Sequence, residues 1–304
     1  MRERIGIIGT GWVGSSVAIS TLHAGVATEV LLYDVRHEVA EGEAMDLAHG
    51  APFYTPASVR TASSIEELRH CDAIVMTAGR GGRPGETRLD LLRDNATIVR
   101  EIGAKLRDFG GIVVMVTNPV DVLTAVMTEA SGLPPSRVLG TGTMLDTARL
   151  RQILGQELHV DPRSIHAQVV GEHGDSEVVL WSDAHVGGRR LRDWPGWTET
   201  HEANIAHRVK TAAYEIIQRK GATNHAIGLV TAALLKYMLR GDRRILTVSR
   251  LQDGACGIDG VALSLPTIVD ADGAVQVIEP EMSAEERARL HSSAEVLRTA
   301  MREI

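Results

Sequence analysis

Residues 168–178 read QVVGEHGDSEV and set His173 between Gly171, Glu172, Gly174 and Asp175, behind an apolar, β-branched run of the kind that ends a buried strand. Glycines on both sides let backbone or ligand come close to an imidazole, whose unperturbed pKa lies nearest neutrality of all side chains. Such a histidine suits proton transfer, and it equally suits a structural role in a chain with 12 His. A second constellation is Leu145-Asp146-Thr147-Ala148-Arg149-Leu150-Arg151, at the start of a helix. Asp146 and Arg149 are three apart and share a helical face, either as an ordinary ion pair or as two groups within reach of one ligand. A third is Gly9-Thr10-Gly11-Trp12-Val13-Gly14, between an apolar strand candidate at 4–8 and a helical pattern through about residue 23. The dinucleotide fingerprint requires this order of strand, glycine turn and helix. Gly9 is expected to make the tight turn, Gly11 to admit a pyrophosphate against the backbone, and Gly14 to let the helix pack on the strand. Free N–H groups at the helix start, those of Trp12 and Val13 included, would then meet the phosphates. The next apolar strand, 29–33, ends in Asp34, an acid that accepts hydrogen bonds from an adenosine ribose and repels a 2′-phosphate. NAD is therefore the expected cofactor, although Arg36 stands close by.

Periodicity predicts the elements that hold these groups. Helix-like 38–48, a strand near Val59, a short helix at 65–68 and an apolar strand at 73–76 follow Asp34. Thr77, Ala78 and Gly79 then fall where a switch-point crevice opens, and their small side chains let a cofactor pass. Residues 80–88, RGGRPGETR, read as a mobile loop ahead of a helix over 89–109, or as a solvated basic turn. A buried strand ends at Val116 and leads to Thr117-Asn118-Pro119, so Val116 joins the cofactor-binding set and Asn118 points into the ligand crevice. A helix over 120–131 and a sixth strand at 137–139 complete a doubly wound parallel sheet, a Rossmann dinucleotide-binding domain over residues 1–140. Residues 141–304 read as a mixed α+β substrate domain. It has a strand-like 178–181, helices over 199–220 and 226–239, extended stretches at 244–249 and 260–269, and a closing amphipathic helix over 284–304.

Bulk properties bound the function. A chain of 304 residues with 44% hydrophobic and 23% charged content is an ordinary globular protein of one large or two smaller domains. The formal charge of −7, without a Lys/Arg cluster, argues against nucleic-acid or membrane partners. Cys71 and Cys256 are too few for a disulfide framework or a four-ligand zinc site, and the histidines show no paired ligand motif, so no metal is expected. Without a signal-peptide pattern or a run of ~18 apolar residues, the expected location is the cytoplasm.

GTGWVG, TAG, PGETR, TNPVD, GTGTMLDTAR and GEHGDSE occur in the order and approximate spacing of the lactate and malate dehydrogenase family. The resemblance covers essentially the whole chain and is closest to the bacterial L-lactate dehydrogenase branch. It implies a glycolytic, NAD-dependent L-2-hydroxy acid dehydrogenase that reversibly reduces pyruvate to L-lactate. Malate dehydrogenase and a branched-chain 2-hydroxy acid dehydrogenase are the alternatives. The resemblance makes His173 the proton donor and acceptor and Asp146 its partner, since a carboxylate beside an imidazole favours the charged ring and fixes its tautomer. It makes Arg149 the two-pronged grip on the substrate carboxylate, Arg88 the group that polarises the carbonyl, Asn118 a substrate-orienting amide and Thr223 a pocket wall. At the loop position two before PGE the family has Gln in lactate enzymes and Arg in malate enzymes. Here Gly82 stands there, followed by Arg83. Glu86 and Thr223 lean toward lactate, and Gly82 leaves volume for a bulkier apolar 2-oxo acid. Arg80 or Arg83 could meet a second carboxylate, whose unpaired burial would cost several kcal/mol. Arg151 and His166 resemble the two cations that bind fructose 1,6-bisphosphate between subunits of activated bacterial lactate dehydrogenases. They imply an allosteric homotetramer. A non-catalytic dinucleotide sensor would need the glycine turn and Asp34 but not His173, Asp146, Arg149 and Arg88 together, and a glycine-loop methyltransferase would gain no protection from NADH.

Overall fold

The computed structural model describes residues 3–81 and 87–304, with the backbone alone for Arg88. Gly82, Arg83 and Glu86 lie outside the described residues. Six strands, β1 (Arg4–Ile8), β2 (Glu29–Tyr33), β3 (Ser58–Thr61), β4 (Ala73–Met76), β5 (Ile112–Met115) and β6 (Val138–Gly140), run parallel in the spatial order 3-2-1-4-5-6. Four helices, α1 (Trp12–His23), α2 (His37–His49), α3 (Arg88–Lys105) and α4 (Val120–Ser131), alternate with them. Helices on both faces explain why β4 and β5 are apolar at every position rather than at alternate ones. The chain builds outward from β1 on one side and from β4 on the other, so a crevice opens between these two at their carboxyl ends. α3 stops at Lys105, short of the expected 109, and the predicted helix at 65–68 is a 3₁₀ turn at Glu66–His70.

The second half contains α5 (Met144–Leu158), β7 (Ile165–His166), β8 (Val169–Val170), β9 (Val178–Val179), β10 (His185–Val186), β11 (Arg189–Arg190), α6 (Glu199–Lys220), α7 (His225–Leu239), β12 (Arg244–Asp253), β13 (Asp259–Asp270), β14 (Gly273–Val277) and α8 (Ala284–Arg302). Its long strands do not form a sheet of their own. β12, β13 and β14 pair antiparallel, and Ser249 of β12 lies opposite Gly140 of β6, giving one nine-stranded sheet in the order 14-13-12-6-5-4-1-2-3. The extended stretch expected over 178–181 is a strand only at Val178–Val179, paired with β8. Beyond it the N–H groups of Trp181 and Ser182 donate to the Glu286 carboxylate of α8 at 2.8 and 3.0 Å, so a side chain replaces a neighbouring strand as acceptor.

Ile7 and Ile8 point to opposite faces of the sheet and enter two separate apolar layers. One layer joins Met76 and Leu123 with Val170, Leu263 and Leu290; the other joins Leu22 and Val75 with Leu235, Met238 and Val248. A third cluster lies within the second half around Leu150, Trp181 and Val209.

Candidate active site

β1 leads into Gly9, whose φ of +95° strains any other residue, and a Cβ there would lie 2.6 Å from the backbone nitrogen of Ala78. A Cβ on Gly14 would come within 1.9 Å of the Gly9 carbonyl oxygen, whereas one on Gly11 would meet nothing within 4 Å. Gly9 and Gly14 thus close the turn onto β4 and α1, and Gly11 leaves backbone open to the crevice. α1 begins without a capping side chain or an acidic residue, so its first-turn N–H groups are left for an anion. The side chains of Trp12 and Val13 do not line the crevice beside Gly9 and Asp34. The Trp12 indole is 61% exposed and borders a different depression beside Ser15 and Asp46, while Val13 packs against the core. Asp34, at the end of β2, accepts the Thr10 N–H and hydroxyl at 2.8 and 3.2 Å and the Arg36 N–H at 2.9 Å. A crevice of about 520 Å³ runs past Gly9, Gly11, Asp34, Thr77, Ala78 and Gly79. The Val116 side chain is buried in the core. An open glycine backbone, an uncapped helix start and an acid at the far end fit a dinucleotide.

Three consecutive residues after β8 are fastened to three different elements. Gly171 exchanges backbone hydrogen bonds with Ser264 of β13 at 2.9 and 3.0 Å, Glu172 donates its N–H to Ser293 of α8 at 2.8 Å, and His173 donates its N–H to Asp121 Oδ2 of α4 at 2.7 Å. The ring is fixed as well, with Nδ1 2.5 Å from Asp146 Oδ2, while Asp146 Oδ1 accepts from Arg149 at 2.8 Å. The Asp146 side chain is 3% exposed, so this is no surface ion pair. With Nδ1 committed, Nε2 is the nitrogen left to exchange a proton with a ligand. His173, Arg149, Asn118, Glu177 and Lys210 line a cavity of about 600 Å³ together with the apolar Leu91, Ala213, Ile217 and Val296.

Burial opposes a charged ring at His173, but the Asp146 charge and hydrogen bond, with the Asp121 charge added, outweigh it and lift the imidazole to about 9. Burial likewise favours a neutral Asp146, yet His173 and Arg149 together hold it below the ordinary carboxylate range. Glu177, on the same cavity, is pushed up to about 8 by burial and then by the Asp146 charge, and its Oε1 has no hydrogen-bond partner. The site at neutral pH therefore presents an imidazolium, a guanidinium and a neutral carboxylic acid. That set can protonate a carbonyl oxygen while holding a neighbouring carboxylate.

Residues 3–140 match the family described as lactate/malate dehydrogenase, NAD binding domain, and residues 143–304 that described as lactate/malate dehydrogenase, alpha/beta C-terminal domain. The chain belongs to the lactate/malate dehydrogenase family. Within this family it is 45% identical to an L-lactate dehydrogenase of Salinibacter ruber over 304 residues, covering 98% of this chain and 96% of that one. It is 43% identical to an L-lactate dehydrogenase of a Synechococcus strain over 295 residues, 96% of each chain. The crystal structure of minor L-lactate dehydrogenase from Enterococcus mundtii in the ligands-bound form superposes with a TM-score of 0.97 at 40% identity, over 100% of this chain and 98% of that one.

Of the other residues expected from the lactate/malate dehydrogenase resemblance, Asn118 shares the cavity of His173 and Arg149. Arg88 opens α3 behind the Thr87 cap, its side chain being outside what is described, as is all of Gly82. Asn118 borders the cavity and uses Oδ1 to accept the Val120 N–H at 3.2 Å. Thr223 sits in the turn between α6 and α7 and is not among the described residues that line the cavity. Arg80 pairs with Asp94 at 2.7 Å. Arg151 donates to the carbonyl of Ala167 at 3.0 Å, next in sequence to the exposed His166 on β7. Among the described residues no group of three or more His, Cys, Asp or Glu is placed to hold a metal ion, and no helix is long and apolar enough to cross a membrane. Sequence reasoning missed Asp121 and Glu177, which lie inside TNPVD and GEHGDSE, motifs whose other residues carry the stronger signal.

Proposed function

We propose that the chain is an NAD-dependent L-lactate dehydrogenase that reversibly reduces pyruvate to L-lactate. The observation that carries this is the single buried carboxylate of Asp146, which holds the acid–base imidazole of His173 with one oxygen and the guanidinium of Arg149 with the other. Arg149 receives the substrate carboxylate, which sets the 2-oxo group beside Nε2 of His173. That nitrogen gives its proton to the carbonyl oxygen in reduction and takes it back in oxidation. The glycine turn and Asp34 hold NAD(H), which supplies or accepts the hydride when bound. Asn118 orients the substrate, and Arg88 stabilises charge building on the oxygen, a donor role whose removal typically costs ~3 kcal/mol.

Leu91, Ala213, Ile217 and Val296 on the cavity favour a methyl or larger alkyl group over a second carboxylate. Arg80 is engaged with Asp94, and Lys210, on the cavity, donates to the Asp175 carbonyl. The same reading divides the chain at 140 into cofactor and substrate domains and places it in the cytoplasm as a homotetramer. Fructose 1,6-bisphosphate then binds at Arg151 and His166.

Steady-state NADH oxidation with pyruvate, oxaloacetate and 2-oxoisocaproate, with and without fructose 1,6-bisphosphate, tests the reading through kcat/KM. Pyruvate is expected to lead. A lead for oxaloacetate would overturn the lactate assignment, and superimposable saturation curves would remove the effector.

A further inference from the structure

Asp121 lies in the first turn of α4, 2% exposed, and its carboxylate reaches the backbone of His173. Oδ2 accepts the His173 N–H at 2.7 Å, while Oδ1 has no hydrogen-bond partner. Burying an incompletely satisfied carboxylate costs the fold free energy. An asparagine would offer the same acceptor without the charge, so the charge is useful only if it acts on another charged group. The imidazole of the residue whose backbone it holds is such a group. His173 is faced by Asp146 and Arg149 from α5, Asp121 from α4, and Glu177 from its own loop. Arg149 opposes the protonated ring, and Asp146 and Asp121 are the anions that favour it. Asp121 in turn is faced by His173 and Glu172, and the Ser249 hydroxyl of β12 supports its ionised form from beyond ordinary hydrogen-bond length. Burial lifts Asp121 to about 6, which leaves it ionised at neutral pH.

We propose that Asp121 is a positioning residue for His173, fixing its backbone through the N–H and supplying, with Asp146, the negative charge that keeps the imidazole protonated. This rests on the reading of His173 as the acid–base group. Asn118 and Asp121 stand on either side of the start of α4, so one rigid helix end presents an amide to the substrate and a carboxylate to the histidine.

Asp121→Asn retains shape and an acceptor but removes the charge; Asp121→Ala removes both. NMR of histidine-labelled protein, with the His173 resonance assigned by its loss in His173→Asn, reads the ring titration directly. The midpoint is expected to fall by about one pH unit in Asp121→Asn and at least as far in Asp121→Ala. The basic limb of kcat/KM for 2-oxo acid reduction should move with it while KM for NADH holds. A merely structural role would lower Tm or kcat and leave the midpoint where it was, and an unmoved midpoint in folded Asp121→Asn overturns the proposal. If that variant fails to fold, the unmutated protein decides. Its His173 backbone amide resonance should follow the ionisation of Asp121 between about pH 5 and 7, and an amide that does not respond overturns the proposal. The ring titration needs no turnover, so a protein inactive on every 2-oxo acid would defeat the functional reading without deciding this one.

Discussion

At His173 the direction of the pH dependence follows from which form of the ring reacts. Reduction needs the imidazolium, so kcat/KM for pyruvate should stay level through neutrality and fall about tenfold per pH unit above about 9. Lactate oxidation needs the neutral ring and should rise with pH toward the same midpoint. Stability is linked to the same proton. The folded ring binds it more tightly than the unfolded ring, so its contribution is full below 6.5 and is lost as pH rises from there through about 9. Glu177 adds to this loss, because a carboxylic acid raised from 4.5 to about 8 keeps its proton only in the folded state and costs stability as pH rises through that interval. Glu177→Gln supplies a permanently neutral amide, and its urea midpoint is expected to decline less between pH 5 and 8 than that of the unmutated protein. A parallel decline would mean that Glu177 is already ionised at neutral pH. His173, Asp146 and Arg149 could be picked out in the sequence because their side-chain types and short-range spacing advertise chemistry. Asp121 could not, since an acid in the first turn of a helix is ordinary and only tertiary packing turns it toward a histidine far along the chain.

The glycine turn shows how one element serves both fold and ligand. Gly14→Ala places a methyl 1.9 Å from the Gly9 carbonyl and should cost about 1–3 kcal/mol of stability, read as a lowered Tm. Gly11→Ala meets no protein atom within 4 Å, so Tm should hold while NADH binding, followed by fluorescence titration, weakens at least about tenfold. Equal losses of Tm in both variants would mean that Gly11 is also a packing position. Turn, strand and helix here were all legible, because each has a local pattern. The strands β8 and β9 were legible as apolar, β-branched runs but not their two-residue length, since residues 180 and 181 look like strand until Glu286 is seen to take the N–H of Trp181.

Across the whole molecule, the two apolar layers each draw on both sides of residue 140, and Asn224 ties α7 to Ser16 of α1 at 2.9 Å. Far-UV ellipticity and tryptophan fluorescence, for which Trp181, Trp194 and Trp197 report on the third cluster, should therefore give coincident thermal transitions. Two separated transitions would show that the halves fold independently. The sequence supplies six parallel strands but not the attachment of β12 to β6, since pairing between residues so far apart leaves no local trace. That attachment has a mechanical meaning. Strands running side by side from β3 to β14 leave the molecule no waist about which its halves could swing like jaws. Whatever encloses a bound substrate has to be a local displacement at the surface of a rigid frame, so small-angle scattering should return the same radius of gyration with and without NADH.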